Sequence, residues 1–442
     1  MINQKIGDEM YQWAVDLYPI CRSITGPGVR ETLAYIKKII PALEIYEVTS
    51  GTQAFDWVVP DEWTVRDAYI ADEAGKRIVD FKQHNLHLVG YSEPIDVWVD
   101  LEELDKHLHS LPNQPNAIPY ITSYYSRQWG FCLTHDQRNT LLPGSYHVVI
   151  DSDLKPGVLN YGEVVLPGQE EKEVFLSTYV CHPSMANNEL SGPVVTTALV
   201  RWLMQQKNLR YTYRIIFIPE TIGSIVYLSR HAVRMKELTV AGFNISCVGD
   251  DRTYSFMPSR KGNTLADRVA RHVLTRKVRK YKHYSFLERG SDERQYCSPL
   301  IDLPVTSIMR SKYNTYPEYH TSLDDLTVIS PTGLEGAFNV ISRCLSALEV
   351  CYTYRTLMLC EPQLGKRGLY PSLSTKSTKE IMYNTLNFLA YADGESDLLG
   401  IAETIDIDVL DCAEIAERLL AQGIIERCLP EIPPVTQRVT YD

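Results

Sequence analysis

Three side chains stand where apolar runs end, His182, Glu220 and Asp250, and a fourth candidate, His320, lies in a polar stretch among carboxylates. Imidazole nitrogens and carboxylate oxygens are the donors that divalent first-row metals take, and a carboxylate beside such an ion can also move a proton. His182 closes the β-branched and apolar stretch Val174-Phe175-Leu176 to Tyr179-Val180. The polar stretch Asn187-Asn188-Glu189 follows, and Ser191-Gly192-Pro193 opens a run through Val194, Val195, Ala198, Leu199 and Leu203 with helical spacing. A buried strand that stops at a histidine, then a polar loop and a helix, is how an α/β fold presents a metal ligand at the carboxyl edge of its sheet. Glu220 comes directly after the apolar run Ile215 to Ile218, where an unpaired carboxylate would be costly to bury. It would bind metal or take a proton from a metal-bound water; its structural role would be a salt bridge or a helix N-cap. Asp250 and Asp251 follow the strand-like Phe243 to Gly249 and suit either a sheet-edge ligand or a turn. His320 sits in Pro317-Glu318-Tyr319-His320-Thr321-Ser322-Leu323-Asp324-Asp325, where nearby carboxylates could orient its second ring nitrogen.

The elements that must position these groups follow from periodicity. Residues 6 to 50 read as helical, with a break at Ile24-Thr25-Gly26-Pro27-Gly28. From about Phe55 to Ser110 short strand-like pieces alternate with turns, a β-rich texture. Between Thr122 and Val350 strands and helices alternate. Candidate strands are Tyr146 to Ile150, Val174 to Val180, Tyr213 to Ile218, Ala241 to Val248 and Val305 to Met309, with helices near 192–206, 222–236 and 263–274. That alternation predicts a doubly wound, mostly parallel sheet, closed by a helical run from Ser330 to Tyr354. A linker over Gly365 to Ser372 leads to helices at Ile381 to Ala390, from Leu398, and at Asp408 to Gln422, then an extended Gly423 to Arg427: a winged-helix pattern.

Composition excludes several classes. The net charge of −11 and the lack of a basic arm argue against a nucleic-acid surface. Ten scattered cysteines form no CxxC pair, which argues against both a thiolate zinc site and a disulfide framework. Met1 to Glu9 does not read as a signal peptide, and no apolar run approaches the ~18 residues that a membrane span needs. A cytoplasmic protein with no membrane partner is expected.

Cys21-Arg22-Ser23-Ile24-Thr25-Gly26, Ile118 to Tyr125 with Trp129 to Cys132, Cys181 to Ser184 through Ser191-Gly192-Pro193, Pro219 to Ser224 and Glu318 to Ser322 together carry a resemblance. They resemble a bacterial family of aminopeptidase-like proteins within the co-catalytic zinc exopeptidase superfamily. The resemblance implies an aminopeptidase-like catalytic domain over 1–54 and 119–358, an inserted β-rich subdomain over 55–118, and a winged helix over 366–442. It also implies zinc held by His182, the residue at Asn188, Glu220 or its neighbour, Asp250 and His320, with a glutamate as general base.

The chain departs from that pattern in three places. The bridging aspartate position falls on Asn188, the usual Glu-Glu pair reads Glu220-Thr221, and the aspartate expected before Val248 falls near Ser246, leaving Asp250 as a displaced substitute. With fewer anionic donors, one zinc is expected rather than two, and Glu189 is a candidate for the missing charge. The expected reaction is cleavage of an amide bond in a small peptide or acylated amino compound, with Glu220 as base or ligand. Arg294 and Arg310 are candidates for gripping a substrate carboxylate, and Tyr319 for donating to the oxyanion. Asp406, Asp408, Asp411, Glu414 and Glu417 surround the third winged helix, opposed by Arg418. Phosphates would repel such a helix, so protein contact or self-association is the expected role. A non-catalytic scaffold that keeps the fold is the alternative.

Overall fold

The computed structural model describes residues 6–278, 280–369 and 376–428. It divides into two compact units, Met1–Ser342 and Arg343–Asp442. Parts of the linker and of the winged-helix reading, residues 370–375 and 429–442, lie outside the described residues.

The first unit is built on an eight-stranded mixed sheet. In spatial order its strands are Glu44–Thr49, Val158–Leu166, Tyr211–Ile218, Glu170–Tyr179, Thr239–Asn244, Val305–Met309, Ser255–Met257 and Lys282–His283. The four strands from Tyr211–Ile218 to Val305–Met309 are mutually parallel, and antiparallel strands extend the sheet on both sides. The central strand is buried along Glu173 to Tyr179, which explains why its sequence is a continuous apolar run rather than an alternating one. Helices Ser191–Leu203 and Ile222–Leu238 follow the two strands that end at the site. Gly192 lets the first helix approach closely: a Cβ there would lie 2.5 Å from both the Ile245 carbonyl oxygen and Thr178 Oγ1.

Charge is buried in this sheet, but it is paired. Arg214 is bidentate to Glu173, with Nε to Oε2 at 2.7 Å and Nη2 to Oε1 at 2.9 Å. Its Nη1 donates to Glu163, which also accepts from the Tyr227 hydroxyl. A planar guanidinium fork can satisfy two carboxylates at once, which a lysine could not.

Five sequence expectations are corrected here. The helical reading of residues 6–50 stops at Ile39, and Glu44–Thr49 is a strand. Residues 187–189 are not an open loop: Ala186–Leu190 form a single wide π-type turn that runs directly into helix Ser191–Leu203. Asp324 caps that turn, accepting from the Asn187 and Asn188 amides at 2.7 and 2.9 Å. The strand expected at Tyr146 to Ile150 exists but belongs to a second, four-stranded antiparallel sheet, ordered Arg77–Asp80, Glu62–Ala71, Ser145–Lys155, Ile95–Asp100. Because Ser145–Lys155 pairs with two of its strands, the β-rich part does not close at residue 118. The helical run expected to Tyr354 ends at Val350, and Thr353–Thr356 is a strand.

In the second unit, Thr353–Thr356 is the middle of a three-stranded sheet between Asp393–Asp397 and Ile425–Arg427. Helices Lys376–Tyr391, Leu398–Thr404 and Val409–Ala421 complete it. Leu398, Ile401, Cys412, Ile415, Ala416 and Leu419 form apolar faces buried against one another's surroundings. Asp397 and Asp408 are spent as N-caps, accepting from Gly400 N at 2.7 Å and Leu410 N at 3.0 Å. Among the described residues no helix is long and apolar enough to cross a membrane.

Candidate active site

Strand register explains how His182 and Glu220 meet. Tyr179 pairs with Ile218 in the two adjacent parallel strands, and Val180 N donates to the Ile218 carbonyl at 3.0 Å. Both chains then leave the sheet at its carboxyl edge. There His182 Nε2 lies 3.6 Å from Glu220 Oε2. His320 arrives from the long connection after Val305–Met309, with its ring centre 5.5 Å from that of His182. The segment around Tyr120 holds it there: Tyr120 N donates to the His320 carbonyl at 3.0 Å, and Ser322 N to the Ile118 carbonyl at 2.9 Å. The Tyr120 ring packs edge-on against both imidazoles, at 5.3 and 5.2 Å.

The far side of His182 is fixed by charge. Its Nδ1 donates to Glu189 Oε2 at 2.9 Å, and Arg22 Nε lies 3.5 Å from Glu189 Oε1 with both side chains fully buried. Arg22 also donates from Nε to the His182 carbonyl at 2.9 Å and from Nη1 to the Leu17 carbonyl at 2.7 Å. Burial disfavours a charged His182, but Cys181 and Glu189 outweigh it and raise its pKa well above the usual value. Nε2 is thus the atom whose proton a cation would displace, with the ring already oriented by a carboxylate. His320 is the opposite case: burial, then the neighbouring His182, lower its pKa to about 3, so its lone pair is free at neutral pH. Burial raises Glu220 above the ordinary carboxylate value, against the pull of His182.

Thr221, next to Glu220, holds φ at 64°, a conformation costly for a β-branched residue. Three bonds restrain it. Thr221 N donates to Asp292 Oδ1 at 2.7 Å, its hydroxyl accepts from Arg294 Nη2 at 2.6 Å, and its carbonyl accepts from Ser224 Oγ at 2.9 Å. Asp292 is wholly buried, and burial together with Glu220 pushes its carboxyl up to about 8. His182, Glu220, His320 and Arg294 all line one cavity of about 330 Å³, walled by Trp57 and Tyr124 among others.

The remaining candidates are placed elsewhere. Asp250 accepts from Ser311 Oγ and Arg252 N on Oδ1, and from Ser311 N and Asn187 Nδ2 on Oδ2. Four donors thus occupy its two oxygens, and it does not line the cavity that holds His182, Glu220 and His320. Asn188 turns its carbonyl inward to the Tyr179 hydroxyl at 3.0 Å and to Cys247 Sγ at 3.8 Å. Arg310 is buried over the Tyr254 ring at 4.0 Å and is not on the cavity. Tyr319 stacks on His320 at 3.9 Å and packs rather than reaching the cavity.

The donor set can be tested against zinc. Two ions need several anionic oxygens, and here Asn188 is neutral and turned away, while Ser246 is buried with an unbonded hydroxyl. One ion fits better: His182 Nε2, Glu220 and the neutral His320 are the available donors. Among the described residues, Cys181, His182 and Glu189 are the group whose donor atoms lie within 4.8 Å of one another. That trio is not a ligand set, because Glu189 is committed to Arg22 and burial raises the Cys181 thiol to about 11.

Arg22, Tyr120 and Asp292 are participants whose roles the sequence left unassigned. Arg22 stands in an otherwise neutral stretch, and Asp292 two residues before the noticed Arg294, so each carried a weak signal.

A Clostridium acetobutylicum protein, named provisionally for polysaccharide biosynthesis with an aminopeptidase-like domain, is 42% identical over 405 residues, 90% of this chain and 92% of that protein. A crystal structure from the same organism, described provisionally as a peptidase, matches 96% of this chain and 97% of its own at 39% identity with a TM-score of 0.91. A zinc aminopeptidase from Bacillus subtilis shares the fold at 12% identity, with a TM-score of 0.57 over 77% of this chain and 95% of its own. A winged helix-turn-helix family matches residues 352–427. Residues 11–350 match the family described as Domain of unknown function (DUF4910), and the chain belongs to that family, with an aminopeptidase-like fold followed by a winged helix.

Proposed function

We propose that this protein is a zinc-dependent hydrolase that cleaves an amide bond in a small peptide or an acylated amino compound. The observation that carries the reading is the 3.6 Å approach of His182 Nε2 to Glu220 Oε2 at the ends of adjacent parallel strands, beside His320 and inside a cavity. His182 and His320 would hold a single zinc ion, with Glu220 beside it as the base or, alternatively, as its third ligand. Zinc there would supply Lewis-acid polarisation of the scissile carbonyl and acidify a water.

The chain's own residues do the rest. Glu189, anchored by Arg22, keeps the His182 ring in one orientation and its Nε2 toward the cavity. In the base role Glu220, which burial raises above the ordinary carboxylate value, accepts a proton from the attacking water and returns it to the departing amine. The strained Thr221 turn, tied to Asp292 and Arg294, fixes where the Glu220 carboxylate points. The Clostridium relative's naming for polysaccharide biosynthesis supports an acylated amino compound over a general peptide. Ten unpaired thiols fit a reducing, cytoplasmic setting. The acidic third helix of the winged-helix unit supports a protein partner rather than nucleic acid.

One observation favours a second reading, a non-catalytic scaffold: two positions that carry bridging and terminal anions in the resembling enzymes are Asn188 and Ser246 here. Release of amine from acyl-amide substrates by zinc-loaded protein, lost in Glu220→Gln, tests the first reading. No release from any acyl or aminoacyl amide would favour the second.

A further inference from the structure

The charges around the cavity say which end of a substrate can enter. Among the described residues Glu220 is the one carboxylate on the lining, and the hydrolase reading uses it for the proton or the metal. The neighbouring acids Glu189, Asp292 and Glu293 are buried and lie off the lining. Glu189 is buried against Arg22 and His182. Asp292 is buried beneath the Thr221 turn, with Oδ1 taken by Thr221 N and Ser224 Oγ and Oδ2 buried without a hydrogen-bond partner, away from the cavity lining. Glu293 accepts from Gly290 N, Ser291 N and Tyr313 OH on one oxygen and from Asn244 on the other. Among the described residues no second carboxylate on the lining therefore remains to receive the free α-ammonium of a peptide N-terminus, and burying that cation without a partner would be unfavourable.

Arg294 presents the complementary feature. It is exposed and lines the cavity, its Nη2 is anchored on Thr221 Oγ1 at 2.6 Å, and among the described residues no carboxylate lies within 4.0 Å of its guanidinium. One guanidinium with a free edge matches one carboxylate in a bidentate pair; a phosphate dianion would call for more positive charge than this rim offers. Trp57 and Tyr125, 5.7 Å apart and edge to face, give the same opening a partly exposed aromatic wall.

We infer that the site is specific for a carboxylate-bearing N-acyl amine, held by Arg294 with its apolar part against Trp57 and Tyr125, and that it rejects substrates with a free α-ammonium. The inference rests on the hydrolase reading for what Glu220 does, but it can be read by binding alone. The test is calorimetric titration of zinc-loaded protein with three probes: N-acetyl-L-tyrosine, its neutral amide, and L-tyrosinamide, which carries the ammonium. N-acetyl-L-tyrosine should bind at least about tenfold more tightly than either of the others. Arg294→Gln should abolish that preference in a protein that still folds, as an unchanged circular dichroism spectrum would show, and Arg294→Lys should restore part of it. Tightest binding of L-tyrosinamide, a preference that survives Arg294→Gln, or no binding of any probe would overturn the inference. Absence of turnover with the carboxylate preference intact would instead overturn the hydrolase reading and leave the specificity standing.

Discussion

Glu189 stands between His182 and Arg22, with one oxygen 2.9 Å from the imidazole Nδ1 and the other 3.5 Å from the guanidinium. All three groups are buried. The arrangement lets a histidine at a strand end keep a fixed ring orientation, because the carboxylate that orients it has its own counter-charge. Removing one member leaves another charge stranded. Glu189→Gln should therefore destabilise the protein by about 3–5 kcal/mol and weaken zinc binding by roughly 10- to 100-fold. The double variant Arg22→Met/Glu189→Gln should recover most of the stability and none of the zinc affinity. Thermal melts and zinc titrations check both; a Glu189→Gln protein as stable as the parent would contradict the pairing.

Glu220 reaches the cavity and is only partly buried in the static surface, so its removal should spare the fold. Glu220→Gln should lower kcat by roughly 10² to 10⁴, the range for loss of a positioned proton carrier, with little change in melting temperature. Unchanged turnover would remove Glu220 from the mechanism.

Asp250 gives the contrary expectation. Its two oxygens accept four hydrogen bonds, two of them from Ser311. Asp250→Asn turns an amide NH₂ toward donors and should cost about 1–3 kcal/mol of stability while leaving zinc content unchanged. Elemental analysis of that variant separates an anchor from a ligand: loss of zinc from a folded Asp250→Asn protein would make it a ligand.

The pH dependence of folding should carry the signature of Glu173. Burial alone would raise its pKa, but Arg214 first and Arg234 second outweigh burial and hold it below the ordinary value. A carboxyl depressed in the folded state contributes stability above its unfolded pKa of about 4.3 and loses it as pH falls toward the folded value. Stability should thus fall on acidification below about pH 5. Glu173→Gln should be less stable at pH 7 and show a flatter acid limb in denaturation measured across pH.

Much of the site was legible because its residues terminate apolar runs. His182 and Glu220 follow stretches whose continuous hydrophobicity marks buried parallel strands, and strand register then forces them together. Asp250 follows such a run too, yet its carboxylate turns into the protein; where a side chain points after a strand ends is a tertiary fact that spacing does not carry. The strand at Tyr146 was visible but not its sheet, since an antiparallel partner and a parallel one ask for similar residues. Thr353–Thr356 was absorbed into a helix because the apolar spacing before it continued past Val350. Arg22 is 160 residues from the His182 carbonyl that it bonds, a contact no local pattern reports.

We propose that His182 and His320 hold a metal ion at this cavity. Elemental analysis of the purified protein beside a His182→Ala/His320→Ala variant tests it most directly. About one zinc per chain is expected in the parent and none in the variant. Equal metal in both proteins, or none taken up by the parent from a zinc-containing buffer, would contradict it.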